Sequence, residues 1–199
     1  MGLVFAGTAS ALDIPVNANI DTSTTWTADN VYQLKQQIYV MPGATLTIEP
    51  GTKVMSIPED QGSLAVTRGA KIYVNGTKEN PVIMTSTNDD FTTWREAALE
   101  WGNLTIMGDA LISASHYDDQ PVGDNTKTPT GLNEKKMEGL VADFEGDPKV
   151  MYGGDNDNDD SGSISYLSIR YGGKVIGLAN ELNGLSLGGI GRETSIDHV

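Results

Sequence analysis

The richest run of potential ligand atoms is Asp155-Asn-Asp157-Asn-Asp159-Asp160-Ser161-Gly162. Alternating Asp and Asn put hard oxygen donors on a tight loop, the donor set that Ca2+ prefers. Asp155, Asp157 and Asp159 copy the first, third and fifth positions of an EF-hand loop. The sixth position, normally glycine, is Asp160, and the twelfth, normally glutamate, is Tyr166. Two readings stay open. One is a Ca2+ site on Asp155, Asp157, Asp159 and Asp160, with Asp143, Glu145 and Asp147 near enough in sequence to complete it. The other is a solvated acidic turn.

Other reactive side chains are scattered. Arg170, Glu181, Asp197 and His198 lie on or near late apolar segments, outside any catalytic motif that can be mapped residue by residue, and Arg170 reads as a surface or corner residue. The two histidines, His116 and His198, are far apart and do not suggest a zinc or imidazole site. Nucleophile-elbow, phosphate-loop and dinucleotide fingerprints are missing. Tyr39, Tyr73, Tyr152, Tyr166 and Tyr171 alternate with apolar positions, which places several of them on an outward face. Tyr39, Tyr73, Tyr166 and Tyr171 could stack on the apolar C–H faces of sugar rings. Tyrosine also simply suits an exposed strand.

The elements that would position these residues repeat. Ile38-Tyr-Val-Met-Pro-Gly43-Ala44-Thr-Leu46-Thr-Ile48 aligns with Leu64-Ala-Val-Thr-Arg-Gly69-Ala70-Lys-Ile72-Tyr-Val74, matching every apolar position and the Gly-Ala pair at one offset of 26 residues. Each copy reaches a Gly-Thr turn and a third apolar stretch, Lys53-Val-Met-Ser56 and Val82-Ile-Met-Thr85. A unit of three short strands cannot bury its apolar face alone. Stacking the next unit on it does so and pairs the backbone as well. Gly43 and Gly69 suit corners with a left-handed backbone. An antiparallel sandwich also has short strands, but seldom shows in-register likeness at one coil length.

Ala44-Thr-Leu-Thr-Ile-Glu-Pro-Gly-Thr52, Arg68-Gly-Ala-Lys-Ile72 and Gly76-Thr-Lys-Glu-Asn-Pro-Val-Ile-Met-Thr-Ser86 resemble the opening coils of secreted bacterial β-helix proteins with the pectate-lyase-like fold. Trp101 to Ile106, Gly162 to Gly173, Glu181 to Leu187 and Thr194 to Val199 continue the likeness, which covers most of residues 24–199. The resemblance implies an all-β, right-handed, single-stranded parallel β-helix. It leaves function open, because that fold hosts lyases, hydrolases, adhesins and surface proteins.

Composition narrows the partners. The 199 residues carry 27 acidic against 13 basic side chains, a net charge of −14, which repels nucleic acid and, unless a cation bridges them, polyanionic sugars. With no cysteine there is no disulfide framework or thiolate metal site. The apolar run Gly2 to Ala11 ends in Ala9-Ser10-Ala11, the pattern of a secretory cleavage site, though the basic leader that should precede it is missing. No run approaches the ~20 apolar residues of a membrane span.

The expected organisation is a residual signal peptide at 1–11, an entry segment or cap at 12–36, and first coils at 37–112. An acidic insertion follows at 113–161, then further coils at 162–199 that stop inside a strand, as a fragment of a longer protein would. Met137, Leu140, Val141 and Phe144 fall at helical spacing and predict a short helix in the insertion. The function expected is an exported or cell-surface scaffold, non-catalytic, presenting a carbohydrate- or surface-binding face, with polysaccharide or cell-surface glycan as the partner. The alternative is a polysaccharide lyase or glycoside hydrolase with catalytic residues partly beyond residue 199.

Overall fold

The computed structural model describes residues 11–60, 62–112, 133–177 and 180–199. The apolar run ending at Ala11 therefore lies almost wholly outside the described residues, as do His116 and the first part of the insertion. The chain begins with β1 (Leu12–Val16), β2 (Thr24–Trp26), β3 (Asn30–Leu34), β4 (Gln37–Val40), β5 (Thr45–Ile48) and β6 (Lys53–Ser56). It continues through β7 (Ser63–Val66), β8 (Lys71–Asn75), β9 (Val82–Ser86) and β10 (Leu104–Met107). The insertion contributes β11 (Lys135–Lys136) and β12 (Met151–Tyr152). Then follow β13 (Gly162–Ser165), β14 (Leu167–Ile169), β15 (Val175–Gly177), β16 (Asn180–Glu181), β17 (Leu185–Gly188) and β18 (Ser195–Asp197).

Three parallel sheets take these strands in rotation. Sheet I runs β1-β3-β6-β9-β14, sheet II runs β17-β10-β7-β4, and sheet III runs β18-β13-β8-β5-β2. One turn of chain thus supplies one strand to each sheet, and the next turn stacks on it: a parallel β-helix. Ile38 pairs with Leu64, Leu46 with Ile72 and Ile48 with Val74, all parallel, as the 26-residue repeat requires. These residues, with Leu104, Ile106 and Met84, are shut off from solvent and form one axial core. Each buried aliphatic side chain contributes roughly 1.5–3 kcal/mol. Gly43 and Gly69 hold φ of +85° and +74° at stacked corners, and the Gly43 amide donates to the Gly69 carbonyl at 2.8 Å.

Three expectations change. Within the third strand the register is one residue off: Lys53 pairs with Ile83 and Val54 with Met84. The corner of the second coil is longer, so the offset grows from 26 (Ile48 to Val74) to 30 (Val54 to Met84). Because strand side chains alternate, that slip decides which residue is inside. Met84 is buried and Ile83 faces outward, partly exposed. Secondly, the entry segment is itself coiled, with β2 in register on β5 and β3 on β6. Trp26 and Tyr32 stack there with centroids 4.6 Å apart, filling the core at that level with aromatic rings.

The third correction concerns Met137 to Phe144, which form no helix. Gly139 takes φ of +76°, which breaks helical geometry, and the Met137 amide donates across to the Val150 carbonyl. Met137 and Leu140 are buried while Val141 and Phe144 are exposed. The insertion enters between β10 and β13, where the coil below has only a tight corner. Its antiparallel pair β11–β12 folds back so that Met137, Leu140 and Val150 cover Tyr39, Ala65 and Met107 on the outside of sheet II.

Candidate ligand-binding cleft

The loop from Asn88 to Glu100 leaves β9 and lies beside the end of β14. Its anchor is Asp89, whose side chain is 2% exposed. Thr85 on β9 donates to Asp89 Oδ2 at 2.9 Å, and the Phe91 amide donates to Oδ1 at 2.8 Å. Arg170, one residue beyond β14, donates to Oδ2 at 3.2 Å and through Nε to Ser168 at 3.0 Å. Ser168 stands opposite Ile83 in the sheet, so strand register delivers the arginine to the aspartate. The residue read from sequence as a corner arginine therefore neutralises a buried carboxylate.

The next turn of the loop wraps Asp90. Its Oδ1 accepts from the Thr93 and Thr92 amides at 2.7 and 2.9 Å, and these bonds bring its pKa down to about 2. Arg95 forks onto Glu100 with both bonds at 2.9 Å and holds that carboxyl below its ordinary range. The Arg95 guanidinium also sits 4.5 Å from the centre of the Tyr171 ring, and Lys53 lies 4.2 Å from that of Phe91. Where the loop returns to the helix, the Leu99 and Glu100 amides donate to the Gly172 and Tyr171 carbonyls. Buried Trp101 donates to the Arg170 carbonyl at 2.6 Å.

These contacts enclose a cleft of about 570 Å³ lined by Asp89, Phe91, Trp94, Arg95, Arg170 and Tyr171, among others. Trp94 is 81% exposed, an unusual position for the largest apolar side chain. Among the described residues five non-glycines have left-handed backbones; Phe91 (φ 62°), Leu99 (φ 62°) and Tyr171 (φ 57°) are three of them. Each such conformation costs roughly 1–3 kcal/mol, and such costs concentrate at functional surfaces.

Of the four tyrosines proposed for sugar contact, the cleft gathers only Tyr171. Tyr39 is buried, a correction to its outward, accessible placement. It does point away from the helix axis, but the insertion covers it, and its hydroxyl lies within hydrogen-bond distance of Gln37 and the Val141 carbonyl. Burial raises its pKa. Tyr73 is half-buried on β8 of sheet III. Tyr166, half-buried with φ of 48°, stacks on His198 at 4.1 Å. The tyrosines lie on different faces and form no common platform.

Three aspartates of the acidic turn are engaged by different partners. Asp157 accepts from the Leu111 amide and faces Arg192, Asp159 accepts from Ser161 at 2.8 Å, and Asp160 pairs with Lys71 and the Gly162 amide. Lys71 depresses the Asp160 pKa. Asp155 is exposed. Among the described residues no three carboxylates or imidazoles are grouped as metal ligands. Sequence reasoning passed over Trp94, Phe91, Asp89 and Arg95. The available signal was two aromatic residues within a short stretch rich in Asp and Thr.

Three rotating parallel sheets around one core define the class as a parallel β-helix. The family described as pectate-lyase like beta helix domain matches residues 18–199, and the chain belongs to it. No curated protein and no solved structure matches the chain. No described helix is long and apolar enough to cross a membrane.

Proposed function

We propose that the protein is an exported or cell-surface β-helix scaffold that binds carbohydrate in the Asn88–Glu100 cleft without cleaving it. The supporting observation is Trp94, 81% exposed at a cleft that also holds Phe91 and Tyr171. An exposed aromatic face packs well on the apolar side of a sugar ring, and the β-helix holds it on a rigid support. Both arginines that line the cleft are paired, Arg170 with Asp89 and Arg95 with Glu100. Both Asp89 oxygens already accept hydrogen bonds, from Thr85, Arg170 and the Phe91 amide, which favours binding over acid–base chemistry. The apolar run ending in Ala9-Ser10-Ala11 motivates export.

The test is a panel of neutral and acidic polysaccharides assayed both for binding and for bond cleavage, by new reducing ends and by unsaturated products. Binding without cleavage, lost in Trp94→Ala, is the expected result. Turnover abolished by Asp89→Asn would replace the scaffold with a lyase or hydrolase.

A further inference from the structure

The charges around the cleft select among carbohydrates. Four charged side chains line it: Asp89 and Glu96 are acidic, Arg95 and Arg170 basic. Both arginines already face carboxylates, Arg170 on Asp89 and Arg95 in a fork on Glu100. Asp90, next to the lining and exposed, is kept ionised by the Thr92 and Thr93 amides. A carboxylate on a sugar entering here meets two arginines already paired with carboxylates and three nearby anions; Lys53, outside the lining, lies over the Phe91 ring. The whole chain adds a field from a net charge of −14. By contrast, exposed Trp94 offers a free aromatic face beside half-buried Phe91 and Tyr171, whose rings carry Lys53 and Arg95, and the exposed Thr92 and Thr93 hydroxyls can bond sugar hydroxyls.

We infer that the ligand is an uncharged polysaccharide of gluco- or xylo-configured sugars, and not a polyuronate. Equatorial hydroxyls leave both ring faces of such sugars apolar, which suits stacking on Trp94. The cleft volume of about 570 Å³ falls in the range of sites that accept ligands of a few rings. The inference rests on the carbohydrate-binding reading and narrows it.

Titration calorimetry would use the whole chain with soluble neutral β-glucan, xylan and polygalacturonate, with a chelator present to remove bridging cations. The expected result is binding to a neutral chain at least roughly tenfold tighter than to polygalacturonate, and unchanged between low and high salt because no charge pair forms. Trp94→Ala should weaken it by roughly tenfold or more with an unaltered melting temperature, as for an aromatic contact residue. Phe144→Ala, which removes another exposed aromatic side chain outside the lining, should leave it unchanged. Tighter, salt-sensitive binding to polygalacturonate that still depends on Trp94 would overturn the neutral-sugar inference and leave the carbohydrate scaffold standing. Absence of binding to every polysaccharide would overturn both.

Discussion

Asp89 shows how one buried carboxylate organises a surface. Its side chain is 2% exposed and is held by Thr85, the Phe91 amide and Arg170. Arg170→Met would leave that charge buried with fewer partners, so thermal or urea unfolding should show a loss of about 1–3 kcal/mol. Glu100 supplies a pH signature. Its folded pKa lies below the unfolded value, first because of its bonds from Arg95. Its contribution is therefore complete above the unfolded value of about 4.3 and disappears as pH falls through the lower folded value. The melting-temperature difference between the native chain and Glu100→Gln should be constant at neutral pH and shrink only under acid. A difference that instead grows with acid would contradict the pairing.

Among the elements, the return from the insertion into β13 is the least forgiving. Gly162 has φ of +107°, and a methyl group there would collide with the Ile72 carbonyl one rung below. Gly162→Ala should destabilise by several kcal/mol, about 2–4 from backbone strain plus the displaced ladder bond. The preceding acidic turn gives a separate test. Asp157, Asp159 and Asp160 each serve an intrachain partner, so a Ca2+ site on them would have to compete with Lys71 and the Leu111 amide. Melting in millimolar Ca2+ should match melting in chelator. Saturation to about 100 times Kd would add roughly 2.7 kcal/mol, an increase large enough to establish a cation site. The turn's composition was legible in sequence. The directions of the Asp157 and Asp160 carboxylates were not, because Arg192 and Lys71, which they face, belong to other coils.

For the whole molecule, stability is shared between neighbouring rungs, so a side chain's value depends on its position along the axis. Leu64 is sealed between Ile38 below and Leu104 above, while Leu187, in register with Ile106, is 44% exposed. Leu64→Ala should cost about 2–5 kcal/mol and Leu187→Ala less than about 1 kcal/mol, as measured by denaturant midpoint. Equal losses would mean that the rungs do not stack in this order. The same rigidity suits a binding scaffold, since a cleft built at one rung is held by those on either side.

The sequence by itself determined the coil, its family and its corners. An alternating apolar pattern recurring at 26 residues with glycine at the same phase has one economical way to bury its faces, and Ile38, Leu46 and Ile48 meet their expected partners. It did not determine the third-strand register, the covering of Tyr39 or the cleft. Those depend on the length of a turn, on where an inserted segment folds back, and on contacts between residues as distant as Asp89 and Arg170. Local pattern fixes which residues must be hidden from water; only the packed chain decides what lies beside them.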